Sequence, residues 1–133
     1  MIIRALHSSD WAQLKKTLDI AYTSETGGMV LEEDGEILAA SVFDGWTYNS
    51  VNMHMMIKNP RAMLETNFHR AVFDYIFTTT NRKTMLGFIA ESNVRSLRLA
   101  KRFGSVEKTR IKDGFSDGVD LVITELHRND CPY

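Results

Sequence analysis

His54 stands in the middle of an apolar run, Val51 to Ile57. A histidine titrates close to working pH, so in that place it can take a proton from a nucleophile. Its plainer role is a ring on a sheet face, hydrogen-bonded to a neighbour, and no partner carboxylate is identified near it in the sequence. Asn93 and Ser96 precede an apolar helical stretch, where an asparagine oxygen suits a helix cap. Arg95, Arg98, Lys101 and Arg102 follow at spacings of three and four, which gathers positive charge along one helix. Such a cluster suits a phosphate, a nucleic acid or an acidic partner, and is most often a solvated face. Glu32, Glu33 and Glu36 belong to a hairpin and read as solvated charges. His7, His54, His69 and His127 fall on separate elements without the short paired spacing of a zinc site, so no metal is expected.

The bulk of the chain limits what these residues can serve. With 133 residues, 44% of them hydrophobic and 25% charged, it suits one soluble domain (1–133) with a real core. A net charge of -1 supplies no field to attract nucleic acid or an anionic membrane. Cys131 is the only cysteine, which excludes an intrachain disulfide and suits a reducing compartment. The apolar start, Ile2 to Leu6, is shorter than a signal peptide's apolar region, and no run is long enough to span a membrane. The cytoplasm is the expected location.

The elements that must position His54 and Asn93 follow from periodicity. Ile2–Leu6 reads as a strand, and Ser8 to Asp10 cap a helix carrying Trp11, Leu14, Leu18 and Tyr22. Met29–Glu33 and Glu36–Phe43 flank Asp34-Gly35, a tight-hairpin signal. Val51–Ile57 is the fourth strand. Pro60 suits the first turn of a helix, in which Met63, Phe68, Val72, Tyr75 and Ile76 recur to about Thr78. Thr84–Ala90 is the fifth strand, and a helix capped at Ser92-Asn93 runs to Gly104. Val106–Ile111 and Val119–Leu126 close the chain around a turn at Lys112–Asp117. The expected fold is α/β: a mixed sheet of about seven strands with three main helices, parallel in the middle. Unpaired sheet edges suit a homodimer. Met53, Met55, Met56, Met63 and Met85 fall around the fourth strand and its neighbours, and methionine fills irregular gaps and adapts to partners.

This order resembles the GCN5-related N-acetyltransferase (GNAT) superfamily, less its second N-terminal helix. The segment from Asn93 through Ser96 to Phe103-Gly104 is similar to the family's asparagine-led helix. The ending, Asp117-Gly118-Val119-Asp120-Leu121 with Leu126-His127-Arg128-Asn129-Asp130-Cys131, resembles small members encoded by tailed bacteriophages. The resemblance implies a cleft between the fourth and fifth strands for the pantetheine arm of acetyl-CoA. It also implies a helix N-terminus directed at the pyrophosphate. Met55, Met56 and Ile57 would then pair by backbone with the arm, and Lys58, Arg61, Ala62 and Met63 would meet the phosphates. Asn93 and Ser96 would touch the arm, the arginine cluster could meet the adenosine 3′-phosphate, and His54 would serve an amine acceptor as base. Four departures stand out. No glycine lies between Gly45 and Gly87, and Pro60 removes a donor. Ala100 stands where many members have a proton-donating tyrosine, and Ser105 replaces the usual phenylalanine. Two functions follow: acetyl transfer, or a non-catalytic virion or assembly protein whose partners are phage structural proteins.

Overall fold

The protein, described by a computed structural model over residues 1–18 and 20–133, is organised on one seven-stranded sheet. The strands are β1 (Ile2–Ala5), β2 (Gly27–Glu33), β3 (Glu36–Asp44), β4 (Ser50–Ile57), β5 (Thr84–Ala90), β6 (Val106–Ser116) and β7 (Val119–His127). They lie in the order β1-β2-β3-β4-β5-β7-β6. Only the β4–β5 pair is parallel. The mixed sheet with a parallel centre and an antiparallel closing hairpin is the expected architecture. Asp34 and Gly35 both take positive φ, 52° and 80°, as a two-residue hairpin turn with the right twist demands.

Three expected elements differ. The closing hairpin turns at Asp117-Gly118, because Lys112 to Gly114 form a bulge inside β6 and not the turn itself. Asp113 has φ 54°, the register slips between Ile111 and Ser116, and the Asp113 carboxylate accepts the Gly118 N–H at 2.9 Å.

The first helix is short: a 3-10 turn at Ser8–Asp10 and α1 (Trp11–Leu14). Asp10 does not cap a longer helix, since its carboxylate takes Arg4 at 2.8 and 2.9 Å and the His7 N–H at 2.8 Å. The Arg4 guanidinium holds that carboxyl below its usual range. Tyr22, expected on the same helix, instead comes back onto Trp11 with ring centroids 5.3 Å apart. Position 19, within the expected helix, lies outside the described residues.

The expected Arg61–Thr78 helix is broken into pieces. Pro60–Leu64 is a 3-10 turn, Glu65 leaves helical geometry at ψ 80°, and α2 (Thr66–Asp74) begins after it. A wider π-type turn at Tyr75–Thr79 ends it, where the Thr80 hydroxyl donates to the Ile76 carbonyl. The last helix, α3 (Val94–Arg102), starts at Asn93, whose side chain accepts the Ser96 N–H, and ends at Gly104 with φ 96°. Among the described residues, no helix is long and apolar enough to cross a membrane.

Each sheet face has its own core. On one, Phe68, Val72 and Phe73 of α2 and Ile76 of the π-type turn meet Phe43, Val51, Met85 and Leu126, with Phe103 from the end of α3. On the other, Leu14 packs on Val30, Ile37, Ala40, Val42 and Met56, with Leu18 and Ile20 beside them. His69 sits inside the first core at 1% exposure, its Nε2 donating to the Met63 carbonyl at 3.1 Å. Burial lowers its pKa below the ordinary 6.5, so the folded ring stays neutral where the unfolded one takes a proton. Stability is therefore expected to fall as pH drops below about 6.5, by up to ~1.4 kcal/mol per pH unit, until the folded ring protonates too. Urea midpoints at pH 7.5 and 5.5 test this. His69→Gln should flatten the difference, and an undiminished difference would contradict it.

Candidate active site

β4 and β5 pair over only three positions, Ser50↔Thr84, Val51↔Met85 and Asn52↔Leu86. Beyond them Met53–Ile57 stays on β3, and Gly87–Ala90 stays on β7. A gap opens between two strands that are each held from outside. Which backbone groups face it follows from alternation. The Lys58 N–H donates to the Leu38 carbonyl at 2.9 Å, and directly bonded positions recur at every second residue of an antiparallel ladder. Met56 and His54 therefore bond toward β3. The N–H and C=O groups of Met53, Met55 and Ile57 face the gap.

A cavity of about 320 Å³ fills this opening. Asn93, Ser96 and Ala100 line it from the α3 side, and Leu18, Ile20 and His54 from the α1 side, so it passes through the sheet. A second cavity of about 450 Å³ shares Met55, Asn93, Ser96 and Leu99 with the first and continues past Met56, Ile57 and Met63 to three arginines of α3.

His54 has the carboxylate partner that the sequence did not reveal. Its Nε2 lies 2.8 Å from Asp44 Oδ1, both side chains half-buried. Asp44 is the last residue of β3, one beyond the expected strand end, and pairs in register with Asn52. It thus sits diagonally from His54 on the same sheet face. Gly45 makes the position possible. Its φ is 58°, and a Cβ there would lie 2.3 Å from the Asn52 amide.

Met55, Met56, Ile57, Met63, Asn93 and Ser96 all line one or both cavities. Lys58, Arg61 and Ala62 line neither. Ala62 is fully buried in the core, and Arg61 pairs with Glu33 of the β2–β3 hairpin. The backbone of this turn is also engaged internally. The Arg61 N–H goes to the Asn59 side chain at 3.0 Å, the Ala62 N–H to the Asn59 carbonyl at 2.9 Å, and Pro60 has none. The free donors that would cradle a pyrophosphate are absent from these positions.

Of the basic cluster weighed for a phosphate, Arg95, Arg98 and Arg102 line the second cavity and Lys101 does not. Sequence reasoning missed Thr124, with nothing local to mark it. It is buried on β7 opposite Gly87, and a Cβ on Gly87 would meet its Oγ1 at 2.5 Å.

No protein-family model matches the sequence, and no curated protein matches it. Solved structures do. The spermidine/spermine N-acetyltransferase SpeG from Vibrio cholerae, with manganese ions, superposes with a TM-score of 0.78 at 16% identity, covering 96% of this chain and 92% of that one. The same enzyme with CoA and spermine gives 0.77 at 15% identity, covering 97% and 96%. Its dodecameric form in an intermediate state gives 0.78 at 17% identity, covering 96% and 94%. Together with the element order and the parted central strands, these superpositions establish the fold as that of the GNAT acetyltransferases.

Gly87 keeps the wall of the gap clear. Gly87→Ala is expected to destabilise the protein by about 1–3 kcal/mol through crowding of Thr124. Gly87→Ala combined with Thr124→Ala should recover most of that loss in chemical denaturation, and failure to recover would place the strain elsewhere.

Proposed function

We propose that the protein is a GNAT-type acyltransferase that passes an acetyl group from acetyl-CoA to an amine. The observation that carries the reading is the parting of β4 from β5 with an oriented histidine at its edge. Acetyl-CoA, when bound, supplies an acyl carbon activated as a thioester; the amine nitrogen bonds to that carbon, the C–S bond breaks, and the nitrogen sheds a proton.

The chain's own groups serve each of these events. An Nε2–H on His54 donates to Asp44, which leaves the Nδ1 lone pair to accept the proton; Nδ1 makes no other hydrogen bond among the described residues. Asp44 fixes the ring's tautomer and offsets the charge that the ring gains. The N–H groups of Met53, Met55 and Ile57 are donors for an extended amide-bearing arm and for a carbonyl oxygen that gathers charge. Met53, Met55 and Leu99 wall off water. Asn93 and Ser96 flank the same opening from α3. Ala100 offers no acid, so the thiolate leaves unassisted by that position. Positioning alone is a large share of such catalysis.

The superposed V. cholerae enzyme acts on spermidine and spermine, which makes polyamines the first acceptors to try in a thiol-release assay. His54→Gln is expected to lower kcat by about 10²–10⁴ with acetyl-CoA affinity unchanged. Asp44→Asn should lower kcat by a smaller factor through loss of ring orientation. Absence of acetyl-CoA binding at millimolar concentration, with no thiol release for any amine, would overturn the reading.

A second reading keeps the fold without the chemistry: a phage-encoded virion or assembly component that works by contacting structural proteins. The internally engaged donors of the Asn59–Ala62 turn favour the absence of chemistry. Recovery in fixed proportion from purified particles, without acetyl-CoA binding, would establish it.

A further inference from the structure

The second cavity poses a question that the parted strands do not answer. Any nucleotide-bearing thioester carries phosphates, and in the turn before α2 the Arg61 and Ala62 N–H groups are already engaged. Arg95, Arg98 and Arg102 stand at i, i+3 and i+7, which places them on one stripe of α3. All three line the second cavity, and all three are exposed. None has a carboxylate or hydrogen-bond partner among the described residues, whereas Arg4, Arg61 and Arg110 each do. Among the described residues, no carboxylate lines either cavity. Three unpaired guanidinium groups around one opening raise the local positive potential, and each presents a fork of donors that matches phosphate oxygens. Lys101, on the same helix, lies off the stripe and lines neither cavity.

We infer that Arg95, Arg98 and Arg102 form the phosphate clamp of this protein, in place of the Arg61 and Ala62 N–H groups that the turn between β4 and α2 keeps for itself. The inference deepens the acetyl-CoA reading and rests on it for the identity of the ligand, a thioester joined to a phosphorylated nucleoside. The shared lining of Met55, Asn93 and Ser96 sets the clamp at one end of a continuous path whose other end is His54.

Isothermal titration of the full chain with 3′,5′-ADP, acetyl-CoA and S-acetylpantetheine separates the clamp from the slot. In the Arg95→Gln/Arg98→Gln/Arg102→Gln variant, 3′,5′-ADP and acetyl-CoA are expected to bind at least about tenfold more weakly. S-acetylpantetheine, which has no nucleotide phosphates, should bind the variant as it binds the wild type. Lys101→Gln should change none of the three more than about twofold, which excludes a simple net-charge effect. Circular dichroism melts check the fold, and Arg98→Gln alone carries the comparison if the triple variant melts early. Equal 3′,5′-ADP affinity in wild type and variant, or none in the wild type, would overturn the clamp. Arginine-dependent 3′,5′-ADP binding without any S-acetylpantetheine or acetyl-CoA binding would instead overturn the acyltransferase reading and leave the clamp standing.

Discussion

Three parallel residue pairs hold β4 to β5, and the release after the third shapes everything around it. A strand in mid-sheet ordinarily has its backbone groups paired on both sides, because an unpaired polar group away from water costs about as much as a lost hydrogen bond. Here β4 keeps β3 on one side, and β5 keeps β7 on the other. Each strand is anchored by its outer partner and free at its inner edge. The cores on the two faces make this tolerable: α2 braces one side of the sheet, and Leu14, Leu18 and Ile20 cover part of the other. The opening is therefore built into the fold by the strand order.

Local features tune that opening. Gly45 lets β3 end on Asp44 beside a tight turn, and so delivers a carboxylate to His54 from the neighbouring strand. Gly87 leaves room for Thr124 on the facing wall. Asn93 starts α3 by taking the Ser96 N–H, which sets the phase of the helix and directs the arginine stripe toward the end of β4. Polar chemistry and positive charge thus occupy opposite ends of a path whose middle is walled by methionine.

Most of the frame was legible in the residues. Apolar β-like runs marked β2 to β5 within two residues, and Asp34-Gly35 and Asn93 with Gly104 marked their turn and their helix. The failures share a cause: a local signal was overruled by side-chain hydrogen bonds, packing or strand register that periodicity does not show. Lys112 to Gly114 read as a turn until Asp113 and Asp120 tied them into a bulge. Pro60 promised a continuous helix, but the chain breaks at Glu65 with Ala62 buried beneath it. Of the site, His54, Asn93 and Ser96 were visible as types in the right elements. Asp44 was not, because strand register, and not sequence distance, brings it to His54. The arginines were recognised as a basic stripe, but only the placement of α3 against β4 gives them a cavity to line.

The inward N–H groups of Met53, Met55 and Ile57 carry a consequence for how the molecule behaves in solution. Amides at the centre of a sheet are usually the last to trade hydrogen for deuterium, since their ladder bonds break only in large openings. In this sheet slow and fast amides are expected to alternate along a single strand: His54 and Met56 bond to β3, and their odd-numbered neighbours face whatever fills the gap. The middle of β4 is consequently a built-in reporter, silent along one edge and responsive along the other.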